Sequence, residues 1–295
     1  MKIETRIVVP CYEEAERLAG SRFLHFARSH PSIGFIFVDD GSRDNTSGVL
    51  ERLCSLRPRQ LEWIRLPVNR GKGEAVRQGC LHAFARSSRQ VGYWDADLAT
   101  PLESIPSFLD ALERWPAVQL ILGSRIQMLG RFIHRHVARH ALGRIFAAAA
   151  AWTLDLPVYD TQCGAKLFRS TFLLRSTFAE PFQTRWLFDV EILARLIAAI
   201  GTAAVSRIVR EEPLACWRDV AGSKVMPLDF FRALLELPHI RRRYLAPHRR
   251  PLLADKPSFV SLMRTQVFSS QEPSRGSDER HALASSHRRG ASANR

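Results

Sequence analysis

From Ile7 to Leu122 the chain repeats one unit: a short apolar run, a polar turn, then a stretch with helical spacing. The candidate strands are Ile7 to Val9, Ile33 to Val38, Leu61 to Leu66, Val91 to Trp94 and Val118 to Leu122. Between them, Glu13 to His30, Ser47 to Leu56, Gly71 to Arg86 and Leu102 to Trp115 place apolar residues three and four apart, as a helix with one buried face requires. Strands alternating with helices in this way predict an α/β fold with a mainly parallel sheet covered on both faces. Such sheets take ligands outside the carboxyl ends of their strands. Polar clusters fall at those ends: Cys11-Tyr12-Glu13, Asp39-Asp40, Asn69-Arg70 and Asp95-Ala96-Asp97.

The second half is less regular. Arg131 to Trp152 reads as a long helix, basic and His-rich early and alanine-rich later. Lys166 to Phe168 reads as a strand, Phe188 to Ala199 as an apolar helix holding Asp189 and Glu191, and Ala203 to Val209 as a last strand. Leu228 to Leu245 is an amphipathic helix ending in Arg241-Arg242-Arg243, and from Ser269 the chain is rich in Ser, Arg, Gly and Ala, with little to bury. The expected division is an α/β domain over 1–226, an interfacial helix over 227–250 and a basic, largely disordered tail over 251–295.

Charge narrows the partners. The 295 residues carry a net charge of +14, and Arg241 to Arg295 holds 12 Lys/Arg against 4 Asp/Glu. An excess of this kind calls for an anionic partner: nucleic acid, acidic lipid or a phosphorylated substrate. Nucleic acid would ask for aromatic residues interleaved with the basic run. Beyond Arg241 only Tyr244, Phe259 and Phe268 occur, without pattern, so a nucleic-acid partner is not expected. The five cysteines show no C-x-x-C pairing, which fits reduced thiols in the cytoplasm. Glu4 and Arg6 interrupt the first apolar run, unlike a signal peptide, and no uncharged apolar stretch reaches the length of a membrane span. Any membrane contact is therefore expected to be peripheral.

Asp95-Ala96-Asp97 sets two carboxylates on one side of a turn that leaves the aromatic strand end Tyr93-Trp94. Mg²⁺ and Mn²⁺ take oxygen ligands and are held by one or two carboxylates together with substrate phosphates. A solvated acidic turn would use the same two residues. Asp39-Asp40-Gly41-Ser42 offers a carboxylate to a base or ribose, or else a helix cap through Asp44 or Thr46. Asn69-Arg70-Gly71-Lys72-Gly73 joins two glycines for close backbone approach to a lysine that can face phosphate, or forms a plain turn. Its glycine spacing is not that of a P-loop, so an ATPase is not indicated.

Taken in order, Val8-Val9-Pro10-Cys11-Tyr12-Glu13-Glu14, Val38-Asp39-Asp40-Gly41-Ser42-Arg43-Asp44, Asn69 to Gly73 and Asp95 to Asp97 resemble family 2 glycosyltransferases, whose GT-A fold is a Rossmann-like domain. Asp160-Thr161-Gln162-Cys163-Gly164-Ala165-Lys166-Leu167-Phe168, Arg185-Trp186-Leu187-Phe188-Asp189-Val190-Glu191 and Trp217 to Val225 are similar to its dolichyl-phosphate β-glucosyltransferase branch. The resemblance implies that Pro10, Tyr12, Glu13 and Asp39 line a nucleoside pocket with Lys72 nearby. It implies that Asp95 lies near the ribose and diphosphate and joins Asp97 in binding Mg²⁺ or Mn²⁺, and that Arg125 faces phosphate. Gln162 and Gly164, on either side of Cys163, would floor the sugar site; Asp189 or Glu191 would reach the sugar or orient Arg185; Ser223 and Lys224 would close over the pyrophosphate. Ala165 departs from the aromatic residue frequent in that branch.

The reaction this implies is inverting transfer of a hexose, glucose from UDP-glucose first, onto a polyprenyl or dolichyl phosphate at an anionic membrane surface. The expected catalytic residues are Asp97, Arg125 and Asp189. A phosphate acceptor is already anionic, so no general base is needed and the task is positioning and charge stabilisation. Arg125, Arg131 and Arg135 are the expected clamp on the acceptor phosphate. GDP-mannose as donor and a non-lipid acceptor stay open. The expected location is the cytoplasmic side of the cell membrane.

Overall fold

The structure is a computed structural model that describes residues 2–134, 137–220 and 227–246. In chain order its elements are β1 (Thr5–Cys11), α1 (Gly20–Ser29), β2 (Ile33–Asp39), α2 (Thr46–Ser55), β3 (Leu61–Arg65), α3 (Lys72–Ala85), β4 (Gln90–Trp94), α4 (Ser104–Arg114) and β5 (Leu120–Ser124). Then follow β6 (Phe132–His134), α5 (Val137–Leu154), β7 (Ala165–Arg169), α6 (Phe172–Thr177), α7 (Phe188–Ile200), α8 (Thr202–Ile208), β8 (Val209–Pro213), β9 (Cys216–Arg218) and α9 (Pro227–Tyr244). The succession of strands thus becomes a seven-stranded sheet in the order β3-β2-β1-β4-β7-β5-β8, while β6 and β9 pair separately.

All seven residues of β2 are buried, which is why its sequence is continuously apolar rather than alternating. On one face Phe23 of α1 meets Phe35 and Phe37 edge-on, with ring centroids 5.2 and 5.0 Å away. Each such side chain contributes about 1.5–3 kcal/mol by leaving water.

β7 positions the site. It runs antiparallel between β4 and β5, pairing Trp94 with Ala165 and Leu122 with Lys166. Its beginning therefore lies where β4 and β5 end, and the Asp160–Gly164 turn reaches the same sheet edge as Asp95–Asp97.

Three sequence expectations shift. The apolar residues of 203–208 belong to α8, where Val205 and Ile208, three apart, are buried; the last sheet strand begins only at Val209. Gly201, at φ 82°, breaks one helix from the next. The helix expected from Arg131 starts at Val137, because Phe132–His134 pair with Cys216–Arg218. The first helix starts at Gly20 rather than Glu13: Glu13 has φ 50°, and the next two N–H groups donate to Thr46 Oγ1 and Asp44 Oδ2. Of the expected C-terminal parts, α9 packs against α5 and α7. Leu237 and Ile240 of α9 are buried, and the Tyr244 hydroxyl donates to Glu191 at 2.7 Å. The tail expected over 251–295 lies outside the described residues.

Candidate active site

A cavity of about 450 Å³ opens at the carboxyl ends of β1, β2 and β4. Pro10, Cys11 and Tyr12 form one wall, Asp40 and Gly71 another, and Lys72 with Asp95, Ala96 and Asp97 the third; Arg17, Arg185 and Trp186 rim it. Five residues expected to bind donor or metal, Pro10, Tyr12, Lys72, Asp95 and Asp97, therefore share one space.

Lys72 opens α3, and its ammonium lies 2.5 Å from Asp95 Oδ1. Burial works to lower the Lys72 pKa, but Asp95, then Asp189 and Asp97, outweigh it and hold the ammonium above its ordinary value. Asp97 accepts the Ala99 N–H at 3.0 Å. Its carboxyl is pushed up, first by burial and then by the charge of Asp95. A cation between the two carboxylates would remove that repulsion. Two carboxylates open to a cavity, with room for phosphate oxygens, suit Mg²⁺ or Mn²⁺. Among the described residues no cluster of three His, Cys, Asp or Glu offers a closed protein cage.

Asp40, rather than Asp39, faces the cavity. Its two oxygens accept the N–H groups of Arg70 and Gly71, each at 2.8 Å, and so fix the turn that delivers Lys72. Burial raises the Asp40 carboxyl. Asp39 is wholly buried: it accepts the Ser42 N–H at 2.9 Å and the Ser47 hydroxyl, tying β2 to α2. Glu13 is exposed and lies off the cavity wall, its N–H donating to Ser42 Oγ.

The other expected residues have separate places. Arg125 grips Asp160 bidentately, Nε to Oδ2 at 2.7 Å and Nη2 to Oδ1 at 2.8 Å. Although burial opposes it, the Arg125 guanidinium holds the Asp160 carboxyl down at about 2. Asp189 is buried, paired with Lys166 and receiving the Tyr93 hydroxyl. Gln162 and Gly164 sit in the turn before β7; Gly164 O accepts the Asp95 N–H at 3.1 Å. A Cβ on Gly164 would run into the Asp95 carboxylate, so only glycine permits this approach. Arg131 is exposed, with its N–H donating to Met128 O. Arg135, Ser223 and Lys224 lie outside the described residues.

Two cations of the cavity, Arg17 and Arg185, have no ligand role assigned from sequence. Arg17 lies within the loop before α1, a stretch that reads as helix in the sequence. Arg185 was recognised only as a group to be oriented, yet its side chain rims the cavity and donates to Asn69 Oδ1 at 2.7 Å, joining the segment before α7 to the Asn69–Gly73 turn.

A family model described as Glycosyl transferase family 2 matches residues 6–174, which carry every strand from β1 to β7 and the cavity wall apart from Arg185 and Trp186. The chain belongs to this family and is a glycosyltransferase. Dolichyl-phosphate beta-glucosyltransferases of Saccharomyces cerevisiae and Homo sapiens are each 32% identical to it, over 81% of this chain and 74% and 75% of theirs. The fold is also similar to glucosyl-3-phosphoglycerate synthase of Mycobacterium tuberculosis in complex with Mn²⁺ and UDP-glucose. That likeness has a TM-score of 0.53 and 20% identity, covering 81% of this chain and 75% of that one.

Proposed function

We propose that the chain transfers glucose from UDP-glucose to a polyprenyl or dolichyl phosphate, with inversion, at a cytoplasm-facing membrane surface. The 32% identity to dolichyl-phosphate beta-glucosyltransferases over most of both chains carries this reading. Asp97 and Asp95 would hold a Mg²⁺ or Mn²⁺ ion. When bound, such an ion neutralises charge on the departing nucleotide diphosphate. Tyr12 and Pro10 would wall the nucleoside, and Lys72, Arg17 and Arg185, the cations that line the cavity, would face the diphosphate. The acceptor phosphate supplies its own charged oxygen, so no side chain has to remove a proton.

Incubation with polyprenyl phosphate, Mn²⁺ or Mg²⁺ and a panel of radiolabelled nucleotide-sugars tests the substrates. Label is expected in the lipid phase from UDP-glucose in preference to GDP-mannose. Transfer only to water-soluble acceptors would sink the lipid assignment.

The membrane reading draws on α5 and α9. Leu142, Ile145, Ala148 and Trp152 form an exposed stripe along α5, with Ile145 57% and Trp152 75% exposed, and Leu235 of α9 is 78% exposed. The Arg241 guanidinium lies over the Trp152 ring at 5.1 Å, so basic and apolar groups share one surface, as interfacial helices do. No described helix is long and apolar enough to cross a membrane. Co-sedimentation with anionic liposomes at low salt is expected, and Ile145→Glu with Trp152→Glu should weaken it about tenfold. An unbound wild-type protein would remove the proposal.

A further inference from the structure

Lys166 lies inside the fold, only 1% exposed, on a strand that otherwise carries apolar residues into the core. A buried ammonium is tolerated when each of its three N–H groups finds a partner and its charge is matched. Lys166 meets both conditions. Nζ donates to Thr161 O at 2.9 Å and Cys163 O at 2.7 Å, and lies 2.6 Å from Asp189 Oδ1. The Tyr93 ring is 5.3 Å away, and its hydroxyl also binds Asp189. None of these groups lines the cavity.

The contacts nevertheless lead to it. Thr161 and Cys163 belong to the turn that ends at Gly164, and a single ammonium holds both carbonyls from beneath. Gly164 in turn accepts the Asp95 N–H and packs its Cα against the Asp95 carboxylate. Asp189 anchors the ammonium to α7. Lys166 therefore fixes the height of the turn relative to β4, and the turn fixes where Asp95 can stand. Methionine in its place would leave two buried carbonyls without that donor and Asp189 without the ammonium in contact with it, so the turn would move to find other partners.

We infer that Lys166 is a positioning residue for Asp95, holding through the Thr161–Gly164 turn the geometry in which Asp95 and Asp97 take a divalent cation. This rests on the metal reading proposed above. It assigns the Lys166–Asp189 pair to site geometry and gives Asp189 no direct part in chemistry.

Binding of Mn²⁺ in the presence of UDP, followed by the EPR signal of free Mn²⁺ with no sugar transfer taking place, tests it. Lys166→Met strands the Asp189 charge, so the informative variant is Lys166→Met with Asp189→Asn, which removes both charges and keeps a partner for Tyr93. Gly164→Ala perturbs the other end of the same path and leaves every buried charge in place. Each variant is expected to raise the Mn²⁺ dissociation constant tenfold or more while unfolding cooperatively. A cooperatively folding double variant that binds Mn²⁺ as the wild type does overturns the inference, provided Asp97→Ala has lost the ion. If Asp97→Ala also binds Mn²⁺ normally, the metal reading falls and the inference falls with it.

Discussion

Asp97→Ala is expected to lower glucosyl transfer by roughly 10³-fold, the scale on which loss of a central electrostatic contact acts in catalysis. The fold should persist, because the side chain stands on the cavity wall and its hydrogen bond is a local one, from the neighbouring Ala99 N–H. Stability should even rise slightly. The Asp97 carboxyl is pushed above its ordinary value by burial and by Asp95. Between the unfolded and folded values the native state binds more protons than the unfolded chain, so stability falls as pH rises through that window. At neutral pH the wild type carries this cost, and the alanine variant does not. A thermal midpoint equal to or above wild type, with transfer lost in the radiolabel assay, is the expected pair of results. Transfer within tenfold of wild type would remove Asp97 from the metal site.

The largest effect on stability is expected at Asp160. Asp160→Asn leaves the Arg125 guanidinium buried without its counter-charge, and breaking such a pair costs about 3–5 kcal/mol. The loss should appear as a lower urea midpoint at pH 7. The pH dependence gives a second signature. Arg125 holds the Asp160 carboxyl at about 2, below the ordinary carboxylate value. Its contribution is therefore complete above the unfolded value of about 4 and is lost as pH falls through about 2. The wild type should lose this part of its stability over that window, whereas the variant has none to lose. Equal urea midpoints for the two proteins at pH 7 would contradict the ionic role of the pair.

How far the sequence could be read follows from the range of the forces involved. The parallel half was legible because each strand is a local apolar run and each helix has its own period, so Asp95–Asp97 and Lys72 could be set at strand ends without knowing any distant contact. The partners of Arg125 and Asp189 were not legible in this way. Both are polar residues in segments that resemble substrate-binding motifs, and their roles depend on Asp160 and Lys166, which β7 brings near by running against its neighbours. Asp39 and Asp40 illustrate the same limit within one dipeptide. Alternation along a strand turns one toward α2 and the other toward the cavity, but the strand's end, where alternation stops being binding, decides which. The misplaced strand at 203–209 has a local cause: six apolar or small residues fit either period, and Gly201 restarts a helix.

The antiparallel course of β7 has a topological consequence. Because Leu122 stands opposite Lys166, the chain leaves the sheet at Ser124 and re-enters at Ala165 side by side. Everything between, β6 and α5 included, is an excursion with a narrow neck, and Arg125 clasped to Asp160 is the fastener across it. Loop-closure entropy grows only with the logarithm of length, so an excursion tied at its neck can lengthen, shorten or change its surface at small cost to the sheet. The strand ends and helix start that place Tyr12, Lys72 and Asp97 lie outside it. A chain built in this way can exchange the surface of that excursion while the half that walls the cavity stays as it is.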